Sequence, residues 1–532
     1  MTVRSIVLGW IAVGVSAFAF ASGPALAEPD PGLDRHVEAL MGLTGVPGAA
    51  VTIVENGRVT HARGYGVRRL GGTERVDADT LFQLGSMTKA MTSAALAVLV
   101  DDGKLEWNDR VIDHMPEFQM YDPWTTREMT VLDLLSHRSG LGLGAGDLLF
   151  VPNTTFTRDE IVRQLRYIPP ATSFRSGYAY DNVLYIAAGR LVEKISGQPW
   201  ETFVEDRLLR PAGMTSSTTG NAERFATANR TYPHARLDGV MRGVGDQEAL
   251  DEQAAALGSN GAPAGAVSAS ADDLGRWIQV QLGQGLASNG TRIFSEASSE
   301  TMWSPQALIP IPAYPPELGD AAPSFNSYAL GWDVRDYRGH RILAHGGAVF
   351  GALSYVVLIP DLDVGFAIVL NSEDDVFYQT LTTELLDHYL GFAPRDWYAA
   401  WTRLHDRRVE AATAELAARE TIITDSRGPT LALGAYAATY SDSWYGPISI
   451  THDGGRLIAT FPRSPGMVGE LRPWRYDTFK VVWRDEAIEP ALFTFALDAG
   501  GKIDRLTLEP ASPLADFSYD YHDLTFRPVG AP

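Results

Sequence analysis

An α/β domain followed by a small antiparallel β-barrel is the fold class that this sequence predicts, on three observations. Strand-like runs stand near both ends of residues 28 to 394 with helical patterns between them, so distant halves of the chain should meet in one mixed sheet. Beyond Leu433 the pattern changes to short alternating runs separated by turn signals such as Asp453-Gly-Gly455 and Asp498-Ala-Gly-Gly501, which reads as an antiparallel sheet or barrel. At 532 residues the chain also exceeds one ordinary core.

The first 27 residues carry one positive charge at Arg4, an apolar run from Ile6 to about Ala21, and Ala25-Leu-Ala27 before Glu28. That is the pattern of a secretory signal cleaved after Ala27, which predicts a periplasmic or secreted protein. A membrane anchor fits less well, because the run is short for a bilayer and Gly23 and Pro24 break it. No stable membrane insertion is therefore expected after cleavage.

Residues 48 to 66 read as a hairpin, with an apolar run from Gly48 to Val54, an Asn56-Gly57 turn and a second run from Arg58 to Gly66. From Met87 a helix is predicted to near Gly103, with Met91, Ala94, Ala95, Val98 and Leu99 at helical spacing; it is apolar nearly all round and should be buried. Helical patterns recur at 131–136, 158–166, 182–196, 200–209, 271–283 and 376–390. Between them lie Gly-, Pro- and Ser-rich loops, notably 139–156 and 303–326. Strands are predicted at Tyr328–Val334, Arg341–His345, Ser354–Ile359 and Val364–Asn371. Residues 395 to 429 form a helical linker, with Trp397, Trp401, Leu404, Val409, Ala412 and Leu416 on one face, and 430 to 532 form the barrel domain.

Composition narrows the chemistry. Lys+Arg 44 against Asp+Glu 65 gives a net charge of −21, which disfavours nucleic acid and anionic membranes as partners. With Cys 0, stability must come from core burial, and thiol nucleophiles and Cys-based zinc sites are excluded. There is no His-Glu-x-x-His, no Gly-x-Ser-x-Gly and no phosphate-cradling loop, and no metal or cofactor is implied.

Three stretches can carry chemistry. Ser86 stands where a loop enters the buried helix, near free backbone N–H groups and the positive helix end. Lys89 shares its face one turn later; held among apolar side chains, its amine loses solvation and can take the serine proton. Lys89 is the one lysine of five with a serine three residues before it. An N-cap serine with a snorkelling lysine is the bland alternative. Tyr180-Asp181-Asn182 opens another helix, where the phenol can relay a proton and the Asn amide can bind a carbonyl and the lysine, or a side chain simply caps the helix. His345-Gly346-Gly347 ends a strand, so a ligand could approach the backbone and the Ala348 amide could face an oxyanion.

Ser-x-x-Lys, Tyr-x-Asn and a basic residue followed by Gly, in that order, resemble the serine β-lactamase and penicillin-binding protein superfamily. Asp79-Thr-Leu-Phe-Gln-Leu-Gly-Ser86, Asp133-Leu-Leu-Ser-His-Arg-Ser-Gly-Leu141, Gly265-Ala-Val-Ser-Ala-Ser-Ala-Asp272 and Tyr328-Ala-Leu-Gly-Trp332 resemble its class C, esterase and D-aminopeptidase branch. The resemblance implies an antiparallel sheet flanked by helices plus an all-helical subdomain over 28–394. It makes Ser86 the acylated nucleophile, Lys89 its activator, Tyr180 the acid/base partner and Asn182 a substrate-positioning group. The N–H groups of Ser86 and Ala348 would form the oxyanion hole. His345-Gly-Gly stands where β-lactamases have Lys-Thr-Gly, which weakens a penicillinase reading and would make a contact to a substrate carboxylate depend on pH. Residues 430–532 look like the lipocalin-like barrel of some peptidases in this superfamily, which narrows the active-site mouth or mediates homo-oligomers.

The expectation is a serine hydrolase of small peptides, including D-residue or linearised cyclic ones, that needs no cofactor. A carboxylesterase or weak β-lactamase is the alternative within enzymes, and a non-catalytic binder of cell-wall peptides is the alternative outside them.

Overall fold

The computed structural model describes residues 32–421 and 428–530. The expected signal segment and the end of the linker lie outside the described residues. Among the described residues no helix is long and apolar enough to cross a membrane.

Helix α1, Leu33–Thr44, is absent from the elements predicted above, although its buried Leu33, Val37, Leu40 and Met41 carry helical spacing. It stops at Gly45, whose φ of 73° is the left-handed conformation that glycine adopts without strain. The hairpin follows as β1, Gly48–Glu55, and β2, Arg58–Gly66. Helix α2, Thr88–Asp101, is buried from Thr88 to Leu99, as an all-round apolar pattern requires. Helices α3, Val183–Ser196, and α4, Ala271–Leu282, precede the returning strands.

Those strands are β3 Ala307–Leu308, β4 Asn326–Tyr328, β5 Asp333–Tyr337, β6 His340–Val349, β7 Ala352–Ile359 and β8 Val364–Leu370. Helix α5, Asp375–Leu390, comes next. The sheet order is β2-β1-β8-β7-β6-β5-β4-β3, antiparallel between all paired neighbours, so the mixed sheet suggested by patterning is corrected. The short turns joining β5 to β6, β6 to β7 and β7 to β8 can link antiparallel strands and cannot make a parallel crossover.

A second correction concerns Tyr328–Val334, which is not one strand. Ala329–Trp332 is a turn closed by Ala329 N–H donating to the Trp332 carbonyl at 2.7 Å, with Gly331 at φ 81°. The turn mimics a buried strand in sequence because Ala329, Leu330 and Trp332 are all 0% exposed. A Cβ on Gly331 would lie 2.7 Å from the Ala90 backbone, so this turn packs directly behind α2.

Strand β1 is buried along its whole length because helices cover both sheet faces. Ala49, Val51 and Ile53 join the core of α1 and α5, whereas Ala50 and Val54 join that of α2 and α4. Between β2 and the returning strands, short helices such as Val111–His114, Val131–Leu134, Arg158–Gln164 and Trp200–Val204 gather around α3 as a helical lobe.

Helix α6, Trp397–Thr421, carries the predicted apolar face, with Trp397 and Ala412 buried and Trp401, Leu404, Val409 and Leu416 half-buried. Eight strands then close a barrel: β9 Ala438–Asp442, β10 Gly446–Asp453, β11 Arg456–Thr460, β12 Val468–Arg475, β13 Thr478–Trp483, β14 Ala491–Leu497, β15 Ile503–Pro510 and β16 Thr525–Pro528. Its interior is aromatic, with Phe461, Phe479 and Phe493 each 0% exposed. Burial of each such ring contributes about 1.5–3 kcal/mol. The barrel docks on the helical lobe, where Thr155 N–H donates to the Arg463 carbonyl at 2.8 Å and Arg463 pairs with Glu160 at 2.8 Å.

Candidate active site

Gly85–Met87 forms a tight turn that runs directly into α2, so Ser86 leads the helix and Lys89 sits one turn inside it. Lys89 is 0% exposed. Its Nζ lies 2.9 Å from Ser86 Oγ, 2.6 Å from Asn182 Oδ1 and 3.0 Å from the Ala264 carbonyl oxygen. Asn182 Oδ1 and the carbonyl can only accept, so each takes an N–H. A neutral amine then has its lone pair free for the Ser86 hydroxyl, which donates. Burial pushes the amine down to about 7 against the opposing pull of the Asp147 and Asp181 carboxylates. The rings of Tyr180 and Tyr185, with centroids 4.8 and 5.3 Å from Nζ, complete its enclosure. A snorkelling lysine with a capping serine does not describe this site: α2 begins without a side-chain cap and the Lys89 side chain does not reach solvent.

Asn182 leads α3, again without capping it. Its Nδ2 donates to Asp147 Oδ2 at 2.7 Å. Asp147 is fully buried, and burial pushes its carboxyl up to about 8 with the Asn182 amide working against the rise. Sequence reasoning missed Asp147, which lies in the Gly-rich loop 139–156 with no spacing to tie it to Asn182. Burial holds the Tyr180 phenol well above its ordinary range, the Ser86 hydroxyl pulling the other way, so it keeps its proton at neutral pH and is suited to donate or relay one.

The 133–141 stretch is the shelf under Tyr180. Asp181 N–H donates to His137 Nδ1 at 3.1 Å, Ser139 Oγ donates to Asp181 Oδ2 at 2.8 Å, and the His137 ring lies 4.1 Å from that of Tyr180. Burial, reinforced by Lys89, holds His137 well below its ordinary range, so it is neutral.

Strand β6 forms the opposite wall. The His345-Gly-Gly segment does not follow a strand as predicted but lies inside β6, which continues to Val349. A Cβ on Gly347 would lie 1.9 Å from the Leu84 carbonyl oxygen, and one on Gly85, at φ 51°, would lie 2.6 Å from the Ala348 amide nitrogen. Gly347 therefore serves the close approach of the Ser86 turn. Ser354 Oγ donates to the Leu84 carbonyl at 2.6 Å and fastens the same contact. This leaves the Ala348 amide beside the Ser86 turn, with Ala348 itself exposed.

His345, expected above as a pH-dependent contact to a substrate carboxylate, lines the cavity with both ring nitrogens engaged. Its Nδ1 lies 2.5 Å from the Gly346 carbonyl oxygen and its Nε2 2.8 Å from Tyr328 Oη. These partners assign the proton to Nδ1, with Nε2 accepting from Tyr328. Burial, then the Lys89 charge, pushes the imidazole down to about 3, so it stays neutral at physiological pH.

Ser86, Tyr180, Asn182 and residues 345–348 line one cavity of about 750 Å³, with Lys89 behind Ser86. The barrel supplies its roof through Leu514, Phe517 and Tyr519, and the Phe517 ring lies 5.7 Å from that of Tyr180. Among the described residues no group of three or more His, Asp or Glu side chains is placed to hold a metal.

Residues 33–390 match the Beta-lactamase family, and the chain belongs to it; the family is one of serine hydrolases. Residues 424–528 match a domain of unknown function, DUF3471. Relatives include the unguisins hydrolase ungD of Aspergillus violaceofuscus (strain CBS 115571), 28% identical over 81% of this chain and 78% of that protein. Penicillin-binding protein 4 of Amycolatopsis lactamdurans is 31% identical over 65% of this chain and 86% of its own. An octameric penicillin-binding protein homologue from Pyrococcus abyssi shares the fold at TM-score 0.57 and 19% identity, covering 94% of this chain and 100% of that one.

Proposed function

We propose that the chain is an exported serine hydrolase that forms an acyl-enzyme at Ser86 and cleaves small peptides. The observation that carries this is the buried Lys89 amine, 2.9 Å from Ser86 Oγ with both other partners acceptors, so that in its neutral form the lone pair faces the Ser86 hydroxyl. In the first step Ser86 Oγ bonds the substrate carbonyl carbon while its proton moves to Lys89 Nζ. The N–H groups of Ser86 and Ala348 hold the resulting oxyanion. Collapse breaks the carbon–nitrogen bond, and the leaving amine takes the proton back from Lys89 through the Tyr180 hydroxyl. Water then attacks the ester, with Tyr180 and Lys89 carrying its proton to Ser86 Oγ.

Asp333 favours peptides over neutral esters. It lines the cavity, its carboxylate has no hydrogen-bond partner among the described residues, and burial pushes its carboxyl up to about 7 with Arg335 opposing. A substrate ammonium would restore its ionised form. The name of the unguisins hydrolase supports hydrolysis by a relative of this chain; assembly of copies through the barrel is part of the same proposal. Residues 1–27 as a signal cleaved after Ala27 would deliver the enzyme to the periplasm or medium.

A fluorophosphonate probe tests the acyl-enzyme reading: one label per chain is expected on the wild type and none on Ser86→Ala. An unlabelled wild type means a binder. A panel of aminoacyl-nitroanilides, D-peptides, p-nitrophenyl esters and nitrocefin tests the substrate, with peptide turnover expected above nitrocefin; fast nitrocefin hydrolysis with inert peptides reverses the reading. Asp333→Asn should raise KM for peptides with a free amine about tenfold and leave neutral esters alone.

A further inference from the structure

The barrel reaches the site in a second way, beneath the roof. Asp520, in the loop between β15 and β16, is 0% exposed. Its Oδ2 accepts the Gly146 N–H at 2.7 Å and its Oδ1 accepts the Leu148 N–H at 3.1 Å. Those amides flank Asp147, so one side chain from the barrel clamps the turn on both sides of the residue that holds Asn182. The turn depends on glycine at two places. Gly146 has φ 83°, and a Cβ on Gly144, at φ 71°, would lie 2.5 Å from the Phe517 carbonyl oxygen. Gly144 N–H in turn donates to the Tyr180 carbonyl at 2.9 Å, so the loop is held between the barrel and the Tyr180-Asn182 segment.

We propose that Asp520 is a positioning residue for Lys89: the barrel side chain fixes the Gly146–Leu148 turn, the turn aims Asp147 at Asn182, and Asn182 holds the Lys89 amine against Ser86. Each link is a hydrogen bond: 2.7 and 3.1 Å to the turn, 2.7 Å from Asn182 to Asp147, 2.6 Å from Lys89 to Asn182 and 2.9 Å from Lys89 to Ser86. Asp520, Asp147, Asn182 and Lys89 are all buried, so water cannot readily take over a broken link. The barrel thereby belongs to the hydrolytic machinery and is more than a filter at the mouth. A chain ending near residue 394 would keep Ser86, Lys89, Tyr180 and Asn182 but lose the clamp.

The catalytic consequence rests on the acyl-enzyme reading above; the positioning itself does not. Asp520→Asn keeps the shape and turns one acceptor into a donor, which cannot serve both amides. Two readouts on the full chain separate the readings. The first is a 13Cε-lysine NMR titration, tractable with five lysines and assigned with Lys89→Met. Lys89 is faced by the Asp147 and Asp181 carboxylates, the His137 and His345 imidazoles and the rings of Tyr180 and Tyr185. With Asp147 no longer held toward it, Lys89 should titrate lower by about half a pH unit or more in Asp520→Asn, as in Asp147→Asn.

The second readout is kinetic. Fluorophosphonate labelling of Ser86 should slow about 10²-fold in Asp520→Asn, with KM for an ester changed less than about threefold. The double variant Asp147→Asn/Asp520→Asn should be no slower than the slower of its two single variants, because both break one path. Asp504→Asn, on the barrel surface, should change neither readout.

An unchanged Lys89 midpoint in Asp520→Asn, or a double variant as slow as the product of the singles, overturns the proposal. A shifted midpoint in a chain that takes no label upholds the positioning and sinks the acyl-enzyme reading instead. If Asp520→Asn does not fold, Asp520→Ser, whose shorter side chain with its single oxygen cannot accept from both amides, carries the same readouts.

Discussion

The open sheet of the hydrolase domain and the closed barrel behind it are each eight strands. Helices cover both faces of the open sheet, and it leaves one strand, β6, alongside a loop-to-helix junction with Ala348 exposed to the cavity. The barrel leaves no such opening. Its strands pair in a ring around edge-to-face aromatics, such as Phe479 and Phe495 with centroids 5.6 Å apart, and it meets the cavity through Glu489 and the loop after β15. Reactivity sits where a periodic element is interrupted, and stability sits where periodicity closes on itself.

Substitutions on the two sides should therefore separate, and the largest effect belongs to the open side. Ser86→Ala should abolish acyl-enzyme formation and cut kcat by at least about 10⁴-fold, read by burst kinetics. Gly347→Ala comes next. Its Cβ would force the Leu84 carbonyl away, so kcat/KM should fall about 10²-fold with most of the fold retained by circular dichroism. Normal activity in that variant would break the claim that β6 sets the nucleophile turn.

The pH profile gives a smaller effect with a definite sign. Lys89 must be unprotonated to accept the Ser86 proton, and burial sets its amine at about 7. Hence kcat/KM should fall about tenfold per unit as pH drops below that value and level off above it. A profile flat from pH 5 to 8 would remove Lys89 from the role of base.

On the barrel side, Phe493→Ala should lower stability by about 3–5 kcal/mol in denaturant titration while kcat/KM in the native range changes less than about threefold. His345→Gln should do least. His345 is neutral throughout this range, so the low-pH limb should keep its midpoint within about half a unit.

Much of this arrangement is legible in the chain. Ser86 and Lys89 are three residues apart on one helix, so local geometry alone puts hydroxyl and amine on one face. The Asn56-Gly57 hairpin, α2, α3 and the alternating barrel runs follow from the same local periodicities. Helix α1 was equally readable from its apolar spacing. The turn at Ala329–Trp332 was not, because burial on all sides removes the polar residues that usually mark a turn. His345 misled for a related reason: its neutrality depends on burial in the folded protein and on the Lys89 charge, which no motif records.

What the sequence by itself determined is the adjacency of Ser86 and Lys89 and the class of elements that carry them, because both depend on neighbours within a turn or a hairpin. What tertiary structure alone decided is how that pair is tuned. Lys89 meets Asn182 across 93 residues, Asn182 meets Asp147 across 35, and the Gly146 amide meets Asp520 across 374. These contacts repeat with no period, so no pattern encodes them. They exist because burial leaves each polar group no partner but the one the fold brings to it.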